Sequence, residues 1–157
     1  MLNENIAVFI ASRVMMVLAA RGEGGRPVIG RGAGARVDPS TGEIEVLVSS
    51  SQWPEFISSA RAGRQVALTL CRPQTYECYQ VKGVISAAEK ASAEGQALAT
   101  DYVEAMLADL AELGVNAYQL SSTLCCDSMW SVRFWPTTMF LQTPGPGAGS
   151  RMAEGAV

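Results

Sequence analysis

Three apolar or alternating runs fall between residues 13 and 49 with only short turns between them, and this spacing limits the fold more than any other feature. Parallel neighbours need a crossover of roughly a dozen or more residues, so adjoining strands here must be antiparallel. Arg13 to Ala20 (RVMMVLAA) is a continuous apolar run, the pattern of a strand buried on both faces. After the turn-rich loop Arg21 to Arg26, Pro27 opens a second strand that runs to about Val37. Asp38-Pro39-Ser40-Thr41-Gly42 is a turn, and Glu43 to Ser49 alternates with Ile44, Val46 and Val48 on one face. The pattern recurs in Gln65 to Cys71, with Val66, Leu68 and Leu70 sharing a side. A turn at Arg72 to Thr75 then leads into a long strand from Tyr76 to Ala87. Met129 to Gln142 is a sixth strand, interrupted at Pro136. Six short antiparallel strands expose no edges if they close on themselves, so the expected class is mainly β: a six-stranded antiparallel barrel with helices.

Two longer helices are expected between the strands. In Ser51 to Ala62, Ser51 serves as N-cap, Pro54 lies in the first turn and Gly63 is the stop; Trp53, Phe56, Ile57 and Ala60 make one apolar face. In Ser92 to Leu113 the buried stripe is Leu98, Tyr102, Met106, Leu110 and Leu113, with Gly114 as terminator. Ile6 to Ser12 forms a short helix over a barrel end. Residues 115–128 show no periodicity. Residues 143–157 (TPGPGAGSRMAEGAV) are dense in Pro and Gly and read as an irregular or mobile tail, leaving residues 1–142 as the barrel domain. A chain of 157 residues matches a single domain and can bury a core without staples.

Composition narrows the chemistry. There is no histidine, which excludes histidine general bases, histidine metal ligands and every nucleophile system built on one. A net charge of -3 gives no electrostatic case for nucleic acid. The four cysteines, Cys71, Cys78, Cys125 and Cys126, form no CxxC pair and read as free thiols in a reducing cytoplasm. The apolar stretch Ile6 to Ala20 carries Arg13 and is shorter than the ~18 residues of a span, so no membrane association is expected and the expected location is cytoplasmic.

Three segments could hold a ligand. In PVIGRGAGARV, Gly30, Gly32 and Gly34 recur with the period of a strand, leaving one face bare. The bare face either admits a flat ring or marks a bulge beneath a helix. Arg31 stands on the other face. Ser49-Ser50-Ser51-Gln52 brings hydroxyl and amide groups to a helix start, where backbone N–H groups favour phosphate, or else it is ordinary capping. Gln80 and Lys82 share a face of the fifth strand and suit a phosphate or a ring carbonyl, or are simply a solvated face. No side chain is assigned a catalytic role.

RVMMVLAA, GRPVIGRG, EIEVLVSSSQWPEFISSARAGRQVALTL and YQVKG together resemble the pyridoxamine 5′-phosphate oxidase-like, FMN-binding split-barrel superfamily over about residues 8–90 and less clearly in the last strand. Val81-Lys82-Gly83 matches the V-x-G element that often ends the corresponding strand there. The resemblance implies a homodimer with FMN at the subunit interface. It also implies cofactor contacts from Arg31, Ser49, Ser50, Ser51, Gln52, Gln80 and Lys82, and an oxidoreductase in which the flavin carries electrons to or from a small-molecule substrate. The superfamily usually carries Lys or Arg at the first helix start, and SSSQWPEF has neither. A non-catalytic flavin- or small-ligand-binding module on the same dimeric barrel is therefore the second reading.

Overall fold

The computed structural model describes residues 4–120 and 122–153. The elements are α1 (Glu4–Ile10), β1 (Met15–Arg21), a single 3-10 turn (Glu23–Gly25), β2 (Pro27–Val37), β3 (Ile44–Ser49), α2 (Pro54–Ser59), β4 (Gln65–Cys71), β5 (Cys78–Lys90), α3 (Ala93–Glu112), α4 (Ala117–Leu120) and β6 (Met129–Leu141). The strands close into a barrel in the order β1-β2-β3-β6-β5-β4, and every pairing is antiparallel. The expected fold class is the one observed.

Alternation decides what is inside. Met16 and Leu18 of β1, Ile44, Val46 and Val48 of β3, Leu68 and Leu70 of β4, Val81 and Ile85 of β5, and Val132, Phe134 and Met139 of β6 are all buried and fill the barrel. β1 is not covered on both faces, as its unbroken apolar run suggested. It alternates, and Val17 on its outer side is 39% exposed. The strand that is covered twice is β3. Its inner residues line the core, while Leu47 on the outer side is buried against Gly95 of α3.

The helices differ from expectation at their ends. α2 begins at Pro54 and not near Ser51, and no side chain caps it. Pro54 pre-sets the first helical φ, while residues 50–52 are held in a turn by other partners described below. α3 starts where expected, with Ser92 Oγ accepting the Gly95 N–H at 3.1 Å. Its buried face includes Ala99 and Val103 as well as Tyr102, Met106 and Leu110, whereas Leu113 is 49% exposed. β6 bends at Pro136, where its pairing with β5 slips between Lys82 and Gly83. Beyond β6 the chain turns back along the strand: the Leu141 N–H donates to Ser150 O at 3.0 Å and the Met152 N–H to Met139 O at 2.9 Å.

Candidate functional site

The barrel's outer face over β2, β1, β4, β5 and β6 is laid out by register. Arg31 pairs with Val17, Val17 with Thr69, Thr69 with Gln80 and Gln80 with Phe140, so these five outward side chains form one row. The adjoining row is Ile29, Ala19, Ala67, Lys82 and Thr138. Ser49 follows Val48, the partner of Gly32, and so flanks Arg31 at the other end of the first row. Arg31 and Gln80 stand three strands apart, or ~14 Å at the usual inter-strand spacing.

The polar groups in these rows differ in how they are engaged. Arg31 Nη1 donates to Thr123 Oγ1 at 3.1 Å, while its Nε is buried without a hydrogen-bond partner among the described residues. The same is true of Arg133 Nε, and Arg31 Nε itself lies buried beneath residues 122–128. Gln80 Nε2 donates to Thr69 Oγ1 at 3.0 Å. The Lys82 ammonium lies 4.8 Å from the Phe140 ring centre, and Lys82 has no ion-pair partner among the described residues. Beside Lys82 a cavity of about 540 Å³ opens over Ala19, Ala67 and Gly83, with Arg21 on its opposite wall. Its lining holds two cationic side chains and no carboxylate. Sequence reasoning passed over Arg21, whose signal was its place at the end of β1, in register with Pro27 of β2.

The glycines of β2 do not form an open slot. Gly30 and Gly32 face inward: a Cβ on Gly30 would lie 2.9 Å from Phe56 Cγ, and one on Gly32 would lie 2.8 Å from both Met16 Cβ and Val46 Cγ1. Gly34 has φ +112 within the bulge between Gly32 and Ala35, beneath Leu98 and Tyr102 of α3. The bare stripe therefore makes room for Phe56 and for α3, as in a bulged strand under a helix. A ring lying on those glycines is ruled out by this packing.

The serines are largely taken up by the fold. Ser49 is 2% exposed; its Oγ accepts the Gln52 N–H at 3.3 Å and the Cys125 thiol at 3.4 Å, and it lies 2.8 Å from Ser51 Oγ. Ser50 donates both its N–H and its Oγ–H to Ser128 O, at 3.1 and 2.9 Å. Gln52 borders a neighbouring open cleft of about 390 Å³ with Trp53, Glu55 and Phe56, which shares Pro27 with the cavity beside Lys82. The structure thus sets Arg31 and Ser49 at one end of the outer face, Gln80 and Lys82 three strands away at the other, and Gln52 on the cleft that adjoins the Lys82 cavity at Pro27. Residues 122–128, which show no periodicity in sequence, close over Arg31 and Ser49 through Thr123 and Cys125 and are tied to α3 by Gln96 Nε2 donating to Cys126 O at 2.6 Å. Burial pushes the Tyr102 hydroxyl far above the usual tyrosine range, with the nearby Arg31 guanidinium acting in the opposite direction. Among the described residues no three Cys, Asp or Glu side chains converge as a metal site, and no helix is long and apolar enough to cross a membrane.

The closed six-stranded barrel with its helices is a fold shared with solved structures of other proteins. Among solved structures the chain is similar to HupZ of Group A Streptococcus, with a TM-score of 0.52, 12% identity, and 95% of this chain and 100% of that one covered. It also resembles a pyridoxamine 5′-phosphate oxidase-related, FMN-binding protein from Nostoc punctiforme, with a TM-score of 0.44, 13% identity and 91% and 80% covered. HutZ, the heme storage protein from Vibrio cholerae, gives a TM-score of 0.45, 17% identity and 90% and 95% covered. No family model matches the chain, and no curated protein matches it by sequence.

Proposed function

We propose that this protein binds FMN on the outer face of β1, β4 and β5 as a homodimer, and that it is a flavin-dependent oxidoreductase acting on a small molecule. The observation that carries the reading is the cavity beside Lys82. Its volume of about 540 Å³ lies within the ~300–1,000 Å³ of ordinary cofactor sites, its floor is made of small side chains, and both charged groups in its lining are cationic. Arg21 and Lys82 would hold a phosphate by charge-assisted hydrogen bonds. Gln80 and the half-buried Arg31 guanidinium would meet ring or ribityl oxygens farther along the row. Val17 and Ile29, 39% and 56% exposed on the same face, supply the apolar surface that a second copy would cover. The bound flavin would supply the redox chemistry, which suits a chain with no histidine. Ser49 and Ser50 act as props that fix residues 125–128 against the site.

Fluorescence titration with FMN tests the assignment. Arg31→Ala and Lys82→Ala should each weaken binding about tenfold, or ~1.4 kcal/mol, the scale of one charge-assisted hydrogen bond. Wild-type affinity in both variants would remove these residues from the site. Turnover with a reduced nicotinamide donor separates the enzyme from the second reading, a non-catalytic flavin-binding or sensing module, which the lack of a basic residue at the start of α2 favours.

A further inference from the structure

Cys71 ends β4, Cys78 opens β5, and the two are register partners across the hairpin. In an antiparallel ladder a residue turns its N–H and C=O to the same side, and opposed pairs alternate between hydrogen-bonded and non-hydrogen-bonded. Cys78 turns both groups away from β4. Its N–H donates to Thr143 Oγ1 at 2.9 Å, and its C=O accepts the Gln142 N–H at 2.7 Å. The next pair toward the turn is hydrogen-bonded, with the Arg72 N–H donating to Glu77 O at 2.9 Å. Cys71 and Cys78 are therefore a non-hydrogen-bonded pair. Such pairs bring Cα atoms to ~4.5 Å with both side chains on one face, and disulfides span Cα separations of ~4.4–6.8 Å. The pairing therefore suits a disulfide between the two sulfurs.

The two thiols are not equivalent. Burial, followed by the neighbouring Cys71 sulfur, pushes the Cys78 thiol up to about 11. Cys71 is only partly buried, so it is the sulfur an oxidant reaches first. The Cys71 Sγ lies 4.0 Å from Arg72 O and also makes a side-chain hydrogen-bond contact with the Cys78 thiol.

We propose that Cys71 and Cys78 form a reversible intramolecular disulfide when the protein meets a two-electron oxidant of the peroxide class. The Cys71 thiolate attacks a peroxide oxygen, the O–O bond breaks, and one water leaves once the departing oxygen is protonated, giving a sulfenic acid at Cys71. The Cys78 sulfur then displaces the sulfenic oxygen as a second water and the S–S bond forms. In sum, two thiols give up two electrons and two protons, and the peroxide is reduced to two waters. The pair lies on the outer face one step beyond Thr69 and Gln80, so the bond would pin the hairpin next to the candidate site. The inference does not depend on which cofactor that site holds.

The test is peroxide treatment of the full chain, alkylation of remaining thiols, digestion on the carboxyl side of Tyr76, and mass spectrometry. The expected product is a linked pair of peptides carrying Cys71 and Cys78, lighter by two hydrogens and separated by dithiothreitol. It should persist in a Cys125→Ser, Cys126→Ser double variant and vanish in Cys71→Ser. Four alkylated thiols after treatment, sulfinic acid at Cys71 without a link, or links involving Cys125, Cys126 or a second chain would each overturn the proposal.

Discussion

Gly83 offers a sharp test of the barrel's register. It pairs with Pro136 where β5 slips against β6, and a Cβ there would lie 2.2 Å from the Trp135 carbonyl oxygen, 2.6 Å from Phe134 Cδ2 and 3.0 Å from the Trp135 carbonyl carbon. Non-bonded heavy atoms prefer ~3.5–4.0 Å, so Gly83→Ala must open the two strands by about 1 Å. Overpacking that side chains can absorb costs ~1–3 kcal/mol, and here the obstacle is backbone locked between paired strands, which places the cost at about 3 kcal/mol. For a domain of this size each kcal/mol moves Tm by ~2–4 °C, so the variant should melt ~6–12 °C lower. Gly32→Ala meets only side-chain atoms, Met16 Cβ and Val46 Cγ1 at 2.8 Å, and should lose ~1–2 kcal/mol. Urea unfolding followed by circular dichroism gives both values. A Gly83→Ala protein within about 1 kcal/mol of the parent would refute the β5–β6 pairing on which the outer rows depend.

Two further substitutions probe the helices. Ser92→Ala removes the cap of α3 and should cost ~1 kcal/mol, whereas Ser51→Ala removes no helix cap and should change unfolding by less than ~0.5 kcal/mol. Tyr102 donates its buried hydroxyl to Val14 O at 2.5 Å, and Tyr102→Phe should cost ~1–2 kcal/mol by leaving that carbonyl unpaired. Because burial in the folded state raises the pKa of Tyr102, its stabilisation is complete below the unfolded value of ~10 and is lost as pH climbs past it; Tyr102→Phe should flatten the fall in urea midpoint above that pH.

The strands were readable because alternation and turn residues are local signals. Gln65–Cys71 and Pro27–Val37 lie where the pattern put them. What escaped was set by tertiary context. RVMMVLAA carries no mark telling which apolar side chains face solvent, and Val17 is exposed because no element lies over that part of β1. Ser51 matched an N-cap in type, yet Ser49 and Ser128 hold the turn that precedes α2. Gly30, Gly32 and Gly34 correctly flagged an unusual strand, but their meaning depended on Phe56 and α3, distant in sequence. Arg31, Gln80 and Lys82 were legible as polar residues on strands, whereas the row that joins Arg31 to Gln80 exists only once the barrel closes.

The most direct measurement of the account's centre is mass spectrometry of whatever ligand leaves the native protein on denaturation, with the absorption spectrum taken beforehand. The account predicts FMN and a flavin band near ~450 nm that disappears with the ligand. A porphyrin in its place, or ligand-free protein that takes up no added FMN, would contradict it.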